Sequence, residues 1–184
     1  HGNEPSGSYA INKIHKKIIN NEIILKKGEL YMFPFLNKYG KYINYRYVPS
    51  IRYSTDLNRI WYVDKKSNFN MIEYIKNIIN DADLVIDAHE GWGYHISNNK
   101  SMGSCLYYTN KDHSILCNNI VNNLNNTITD KNKLFLSKGL CHKLINVPTL
   151  HTYCAKKNIP NILIETTGHN NIQPLNLRVD QQYL

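Results

Sequence analysis

Two short apolar runs, each ending abruptly in an ionisable residue, limit what this chain can fold into. Leu84-Val85-Ile86 leads into Asp87-Ala88-His89-Glu90-Gly91, and Ile162-Leu163-Ile164 leads into Glu165-Thr166-Thr167-Gly168. Apolar runs of this length read as buried parallel strands. The polar residues and glycine that close them mark arrival at the edge of a sheet, where open α/β sheets gather their ligands. Helical spacing of apolar residues recurs over 9–20 (Ala10, Ile11, Ile14, Ile18, Ile19) and 70–80 (Met71, Ile72, Ile75, Ile78, Ile79). Helices are also expected over 113–125, 149–157 and, begun at Pro174, over 174–184. Leu30–Leu36 and Ser104–Thr109 read as further strands, and Leu134-Phe135-Leu136 is the strand candidate within the polar stretch 126–148. Pro34 marks the end or an irregular edge of the first of these. The alternation predicts a three-layer α/β/α sandwich with a mixed, largely parallel central sheet. With 184 residues and neither an internal repeat nor a linker, a single domain, 1–184, is expected. No strand leads into His1 and the last helix is cut short, so the domain is expected to be truncated at both ends.

Composition narrows the partners. The formal charge of +8 would suit nucleic acid if it formed a stripe. The lysines instead lie scattered as pairs at 16–17, 26–27, 65–66 and 156–157. An anionic substrate is the more useful inference, and no nucleic-acid partner is expected. No run approaches the roughly 20 apolar residues of a membrane span, and there is no signal-peptide pattern, so no membrane partner is expected either. Cys105, Cys117, Cys141 and Cys154 form no CxxC pair. Reduced thiols and a cytoplasmic location follow as the expectation. Asn99-Lys100-Ser101 and Asn125-Asn126-Thr127 match the glycosylation sequon, a frequent chance match in an Asn-rich chain. Oligomeric state is not legible.

The chemistry is concentrated at His1-Gly2-Asn3-Glu4. A histidine and a carboxylate three residues apart, followed by Pro5-Ser6-Gly7 and an amphipathic run, can face one point from the turn between a strand and a helix. That is a two-ligand clip for zinc, which in hydrolytic sites takes three His or carboxylate ligands and keeps one position open. HxxE alone is a common chance pattern. His89, at the end of a buried strand, supplies the third ligand, and Glu165, ending a second, supplies a base. An alternative, copper chelated by the amine and imidazole of His1, leaves Asp56-Leu57-Asn58-Arg59 and Glu165 without a role.

The order of these features carries a resemblance. HGNE at 1–4, Asn37-Lys38-Tyr39-Gly40 at the place of an Asn-Pro turn, Arg52 ahead of Asp56-Leu57-Asn58-Arg59, Asp-x-His at 87–89 and the late strand ending in Glu165 together resemble the zinc carboxypeptidase superfamily. Asp56-Leu57-Asn58-Arg59 followed by Ile60-Trp61, and Met102-Gly103-Ser104-Cys105, look most like its succinylglutamate desuccinylase/aspartoacylase branch. The resemblance implies one zinc ion on His1, Glu4 and His89, with Asp56 holding a zinc histidine in one tautomer. It makes Glu165 the general base, Asn58 and Arg59 the grip on a substrate carboxylate, and Arg52 the residue that stabilises the oxyanion. Arg46 competes with Arg52 for that last role. The expected reaction is hydrolysis of an amide next to a free carboxylate, first as N-acyl-amino-acid deacylation, with carboxypeptidase action on a peptide as the runner-up. A non-catalytic zinc-binding module is the third reading. The partner is a small carboxylate-bearing substrate or a peptide C-terminus.

Overall fold

The computed structural model describes residues 1–49, 54–62, 70–168 and 171–183. In chain order the helices are α1 (Ser6–Ile19), α2 (Lys38–Tyr42), α3 (Asn70–Ile79), α4 (Ser114–Asn125), α5 (Leu150–Lys157) and α6 (Leu175–Tyr183). The strands are β1 (Val85–Gly91), β2 (Cys105–Tyr108), β3 (Leu136–Lys138) and β4 (Asn161–Thr167). They form one sheet in the order β1-β4-β2-β3. The β1–β4 and β2–β3 pairs are parallel and β2–β4 is antiparallel, which gives the mixed sheet expected.

Side chains alternate across a strand, and that alternation sorts the helices into layers. Leu106 and Ile162, with Ile164 beside them, pack against Cys117, Val121 and Leu124 of α4. Ala88 lies on the same face and meets α1, where a Cβ added to Gly7 would come within 2.7 Å of the Ala88 methyl. Gln182 of α6 donates to the His89 carbonyl. On the other face, Val85 joins Ile72, Ile75 and Ile79 of α3 with Leu150, Tyr153 and Cys154 of α5. The result is a three-layer α/β/α sandwich.

Local chemistry sets the element ends. Thr149 caps α5 by accepting from the Thr152 N–H, and Asn158 ends it in the left-handed region at φ 56°. α1 has no cap from its own Pro5. The Ser6 N–H instead donates to the Glu90 carboxylate of β1 at 2.8 Å, a negative charge placed at the positive end of the helix. Arg178 of α6 pairs with the other oxygen of Glu90, and both side chains are almost fully enclosed.

The strand expected over Leu30–Leu36 is not formed. Pro34 has no N–H to offer a ladder, and Phe33 and Leu36 instead lean on the α3 cluster from irregular backbone. The strand candidate at 134–136 forms further along, at Leu136–Lys138, while Phe135 turns into the core. All four cysteines are free and buried.

Removing one partner of the Glu90–Arg178 pair strands a charge in the interior. Arg178→Ala is expected to lower unfolding free energy by roughly 3–5 kcal/mol, measured by urea denaturation. Arg178→Ala together with Glu90→Gln should recover part of the loss.

Candidate metal centre

The parallel register of β1 and β4 sets His89 beside Glu165. Pairing partners in a sheet share a face, so both side chains enter one cavity of about 230 Å³, joined there by His1, Glu4, Asn58 and Arg59. The turn at residues 1–5 crosses the end of β1. There Glu4 accepts from the Glu90 N–H at 3.0 Å, so the strand itself positions the carboxylate.

The donor atoms converge. His1 Nδ1 lies 2.7 Å from Glu4 Oε1, His89 Nδ1 lies 2.6 Å from Glu4 Oε2, and the two Nδ1 atoms are 3.1 Å apart. Donor atoms of His1, Glu4 and His89 all fall within 4.8 Å of one another. The far nitrogen of each imidazole faces a carboxylate: His1 Nε2 to Asp56 at 3.1 Å, and His89 Nε2 to Asp87 at 3.3 Å. The second of these has ion-pair distance without hydrogen-bond alignment, since the Asp87 oxygen has no hydrogen-bond partner. Two imidazoles with one nitrogen turned inward and the other backed by a carboxylate, plus a third carboxylate between them, match what zinc requires of its ligands and of the groups behind them. The donor set fits the metal.

The same enclosure splits the carboxylates. Glu4 and Glu165 are 5% and 8% exposed. Burial alone would raise both pKa values, but the His89 charge and hydrogen bond outweigh it at Glu4 and hold that group down at about 2. Asp87 is likewise lowered by His89 against its burial. At Glu165 burial wins: the His89 charge lowers the group, but burial, reinforced by the charges of Glu4 and Asp87, pushes it up to about 8. Burial works against the His89 charge, yet Asp87 and Glu4 overcome it and raise its pKa to about 10.

The other expected site residues fall as follows. Asp56 meets His1 and also accepts from the Arg46 Nε–H at 3.0 Å and the Asn58 N–H at 2.9 Å. Asn58 lines the cavity with its amide engaged: Oδ1 accepts from the Leu150 N–H at 2.9 Å, and Nδ2 lies 3.1 Å from His89 Nε2. Arg59 lines the cavity, and its guanidinium donates to the Asn58 carbonyl at 2.7 Å. Arg52 lies outside the described residues, as does His169. Arg46, read from sequence only as a rival of Arg52, bridges Asp56 and Glu4. The sequence reading gave Asp87 no role of its own, although its place two residues before His89 on a strand already puts it on the same face. Nothing in the sequence pointed to Lys143 and Thr149 as lining residues.

No family model and no curated protein matches the sequence. Solved structures do match. The apo form of the cell shape determinant protein Csd4 from Helicobacter pylori superposes with a TM-score of 0.76 at 22% identity, covering 100% of this chain and 46% of that one. The mDAP-bound form of Csd4, described as a D,L-carboxypeptidase, gives 0.75 at 20% identity, with 100% and 46% covered. The tripeptide-bound form gives 0.75 at 21%, with 100% and 47% covered. The chain therefore spans about half the length of the structures it matches, and what is shared at this identity is the fold. The family assignment drawn from the sequence is corrected by this finding. The matched structures are those of a D,L-carboxypeptidase, and the chain is assigned neither to the zinc carboxypeptidase superfamily nor to its succinylglutamate desuccinylase/aspartoacylase branch.

Two outcomes are expected. One zinc ion should bind per chain and be lost in His89→Ala, while Asp56→Ala should weaken it about 10- to 100-fold in a competitive chelator titration. In metal-free protein, the raised Glu165 pKa favours the folded state least at high pH. The unfolded carboxyl ionises near 4.5 and the folded one only near 8. Glu165→Gln should therefore raise the melting temperature by a few degrees at pH 8, with the gain shrinking through that window and vanishing below pH 4.5.

Proposed function

We propose that this chain carries the catalytic centre of a zinc-dependent, carboxypeptidase-like hydrolase that cleaves an amide bond next to a free carboxylate, within a single domain. The observation that carries the reading is the convergence of His1, Glu4 and His89 on one point, in the same cavity as a carboxyl group pushed up to about 8 and an arginine. The fold shared with a D,L-carboxypeptidase crystallised with mDAP and with a tripeptide supports a short peptide as substrate rather than an acylated single amino acid.

His1, Glu4 and His89 would hold the ion, and zinc so bound polarises a carbonyl and lowers the pKa of water at its open position to about 7. Glu165, held at the end of β4 among the charges of His89, Glu4 and Asp87, takes the proton from the attacking water and delivers it to the departing nitrogen. Its raised proton affinity suits both halves of that task. Arg59 receives the substrate carboxylate through its two-pronged donor set. Asn58, its Oδ1 held by the Leu150 N–H, packs beside the His89 ring. Asp56 and Arg46 hold His1 and Glu4 in place. Arg52 is assigned to the oxyanion on its sequence position alone.

The test is a panel of short peptides given to the zinc-loaded protein, with products read by mass. Release of the carboxyl-terminal residue is expected, and Glu165→Gln should retain zinc while losing at least about 10²-fold in kcat. Unchanged turnover in that variant removes Glu165 from the reaction. Arg59→Ala should act mainly on KM for substrates with a free terminal carboxylate, and equal loss on their amidated forms would refute the carboxylate grip.

A further inference from the structure

Two groups face His89 Nε2 from behind: the Asn58 amide at 3.1 Å and the Asp87 carboxylate at 3.3 Å. The first is held by α5, whose Leu150 N–H donates to Asn58 Oδ1 at 2.9 Å. His151, the next residue of that helix, is placed to hold the second. Asp87 of β1 pairs with Leu163 of β4, and Leu163 with Tyr107 of β2. Their three side chains therefore form one row across the face that α3 and α5 cover. His151 is 1% exposed, and its ring stands edge-on to Tyr107 with 6.5 Å between centroids. Burial keeps its proton affinity below the ordinary imidazole value, although the Asn161 hydrogen bond and the Asp87 charge both raise it, so the ring is neutral and lies within the field of Asp87.

The tautomer of that ring follows from its donors and acceptors. Asn161 donates its Nδ2–H to the Val85 carbonyl at 3.0 Å, which leaves Asn161 Oδ1 as an acceptor. His151 Nδ1 lies 2.6 Å from that oxygen and must carry the proton. Its Nε2 is then a bare lone pair. Among the described residues this buried nitrogen has no hydrogen-bond partner, and neither has the buried Asp87 Oδ2. Two acceptors cannot satisfy one another, and an interior acceptor left unpaired is costly. One water molecule, with two protons to donate, answers both at once.

We infer that His151 is a positioning residue for the metal centre: through one buried water it fixes the Asp87 carboxylate, and Asp87 in turn orients the ring of His89. The first turn of α5 thereby governs both groups behind that ring, Asn58 through the Leu150 N–H and Asp87 through His151. The effect on zinc rests on the reading of His1, Glu4 and His89 as its ligands, whereas the link between His151 and Asp87 stands apart from it.

The test is a double-mutant cycle of His151→Phe and Asp87→Asn. In a competitive chelator titration His151→Phe should bind zinc roughly 3- to 10-fold more weakly, short of the loss from a group that touches the ligand itself. The same change made together with Asp87→Asn should add no further loss. His151→Gln, whose amide oxygen takes the place of the lone pair, should restore zinc affinity to within about 2-fold of the unsubstituted chain. In metal-free protein, urea denaturation should show the effect of His151→Phe on the folding equilibrium constant differing by at least about 3-fold with and without Asp87→Asn. Nitrogen-15 NMR should place the His151 proton on Nδ1. Independent effects in both cycles, or a proton on Nε2, overturn the inference. So does His151→Phe that loses stability while keeping full zinc affinity, which would make His151 a core residue only. A chain that binds no zinc refutes the hydrolase reading, and the metal-free cycle still decides whether His151 and Asp87 are joined.

Discussion

A reciprocal exchange of carboxylates between the first turn and β1 holds this site together. Glu4, just ahead of α1, gives a carboxylate oxygen to the backbone N–H of Glu90, and Glu90 gives one to the backbone N–H of Ser6. Each side thus satisfies a main-chain donor of the other, and each carboxylate keeps an oxygen for a second duty. Glu4 turns its other oxygen to His1 and Arg46, while Glu90 turns its other oxygen to Arg178. The position of His1 relative to His89 follows from that clasp, because the chain between His1 and Glu4 is too short to wander.

Within the enclosure so formed, one dielectric environment produces two opposite carboxyl groups. Glu4 is hydrogen-bonded to the His89 imidazolium and stays ionised; Glu165 on the neighbouring strand feels that charge without the bond, and burial holds its proton up to about 8. Carboxylates whose environments drive their proton affinities apart can divide labour, one as a permanent anion and ligand, the other as a proton carrier. The separation depends on the β1–β4 register, since a slip of one residue would turn His89 or Glu165 to the opposite face.

The strands and their terminal residues were readable because a buried run that stops at a charge leaves few alternatives. β1 and β4 lie where the apolar patterns of 84–86 and 162–164 placed them, and the structure brings His1, Glu4, His89 and Glu165 into one cavity. Residues 30–36 misled because an apolar run with a proline carries no statement about a pairing partner, and strand identity depends on one. Arg46 and Lys143 were opaque for a different reason. Arg46 from a loop and Lys143 from a single short turn reach partners 42 and 44 residues away, where neither periodicity nor spacing constrains where a long side chain ends. The order of motifs also pointed to a deacylase relation that the fold comparison does not bear out, since ligand spacing constrains the metal far more than it constrains the leaving group.

The alternation of β1 has a bearing on how such a protein can change over time. Positions 87 and 89 answer to chemistry, while 88 and 90 answer to the helices behind. Substitutions in one set therefore meet a different selective filter from those in the other. The cavity-lining lysines sit on neither set but on the loop after β1 and the short turn before α5. A lineage could exchange the charge that Lys100 or Lys143 brings to the cavity without renegotiating a single strand contact.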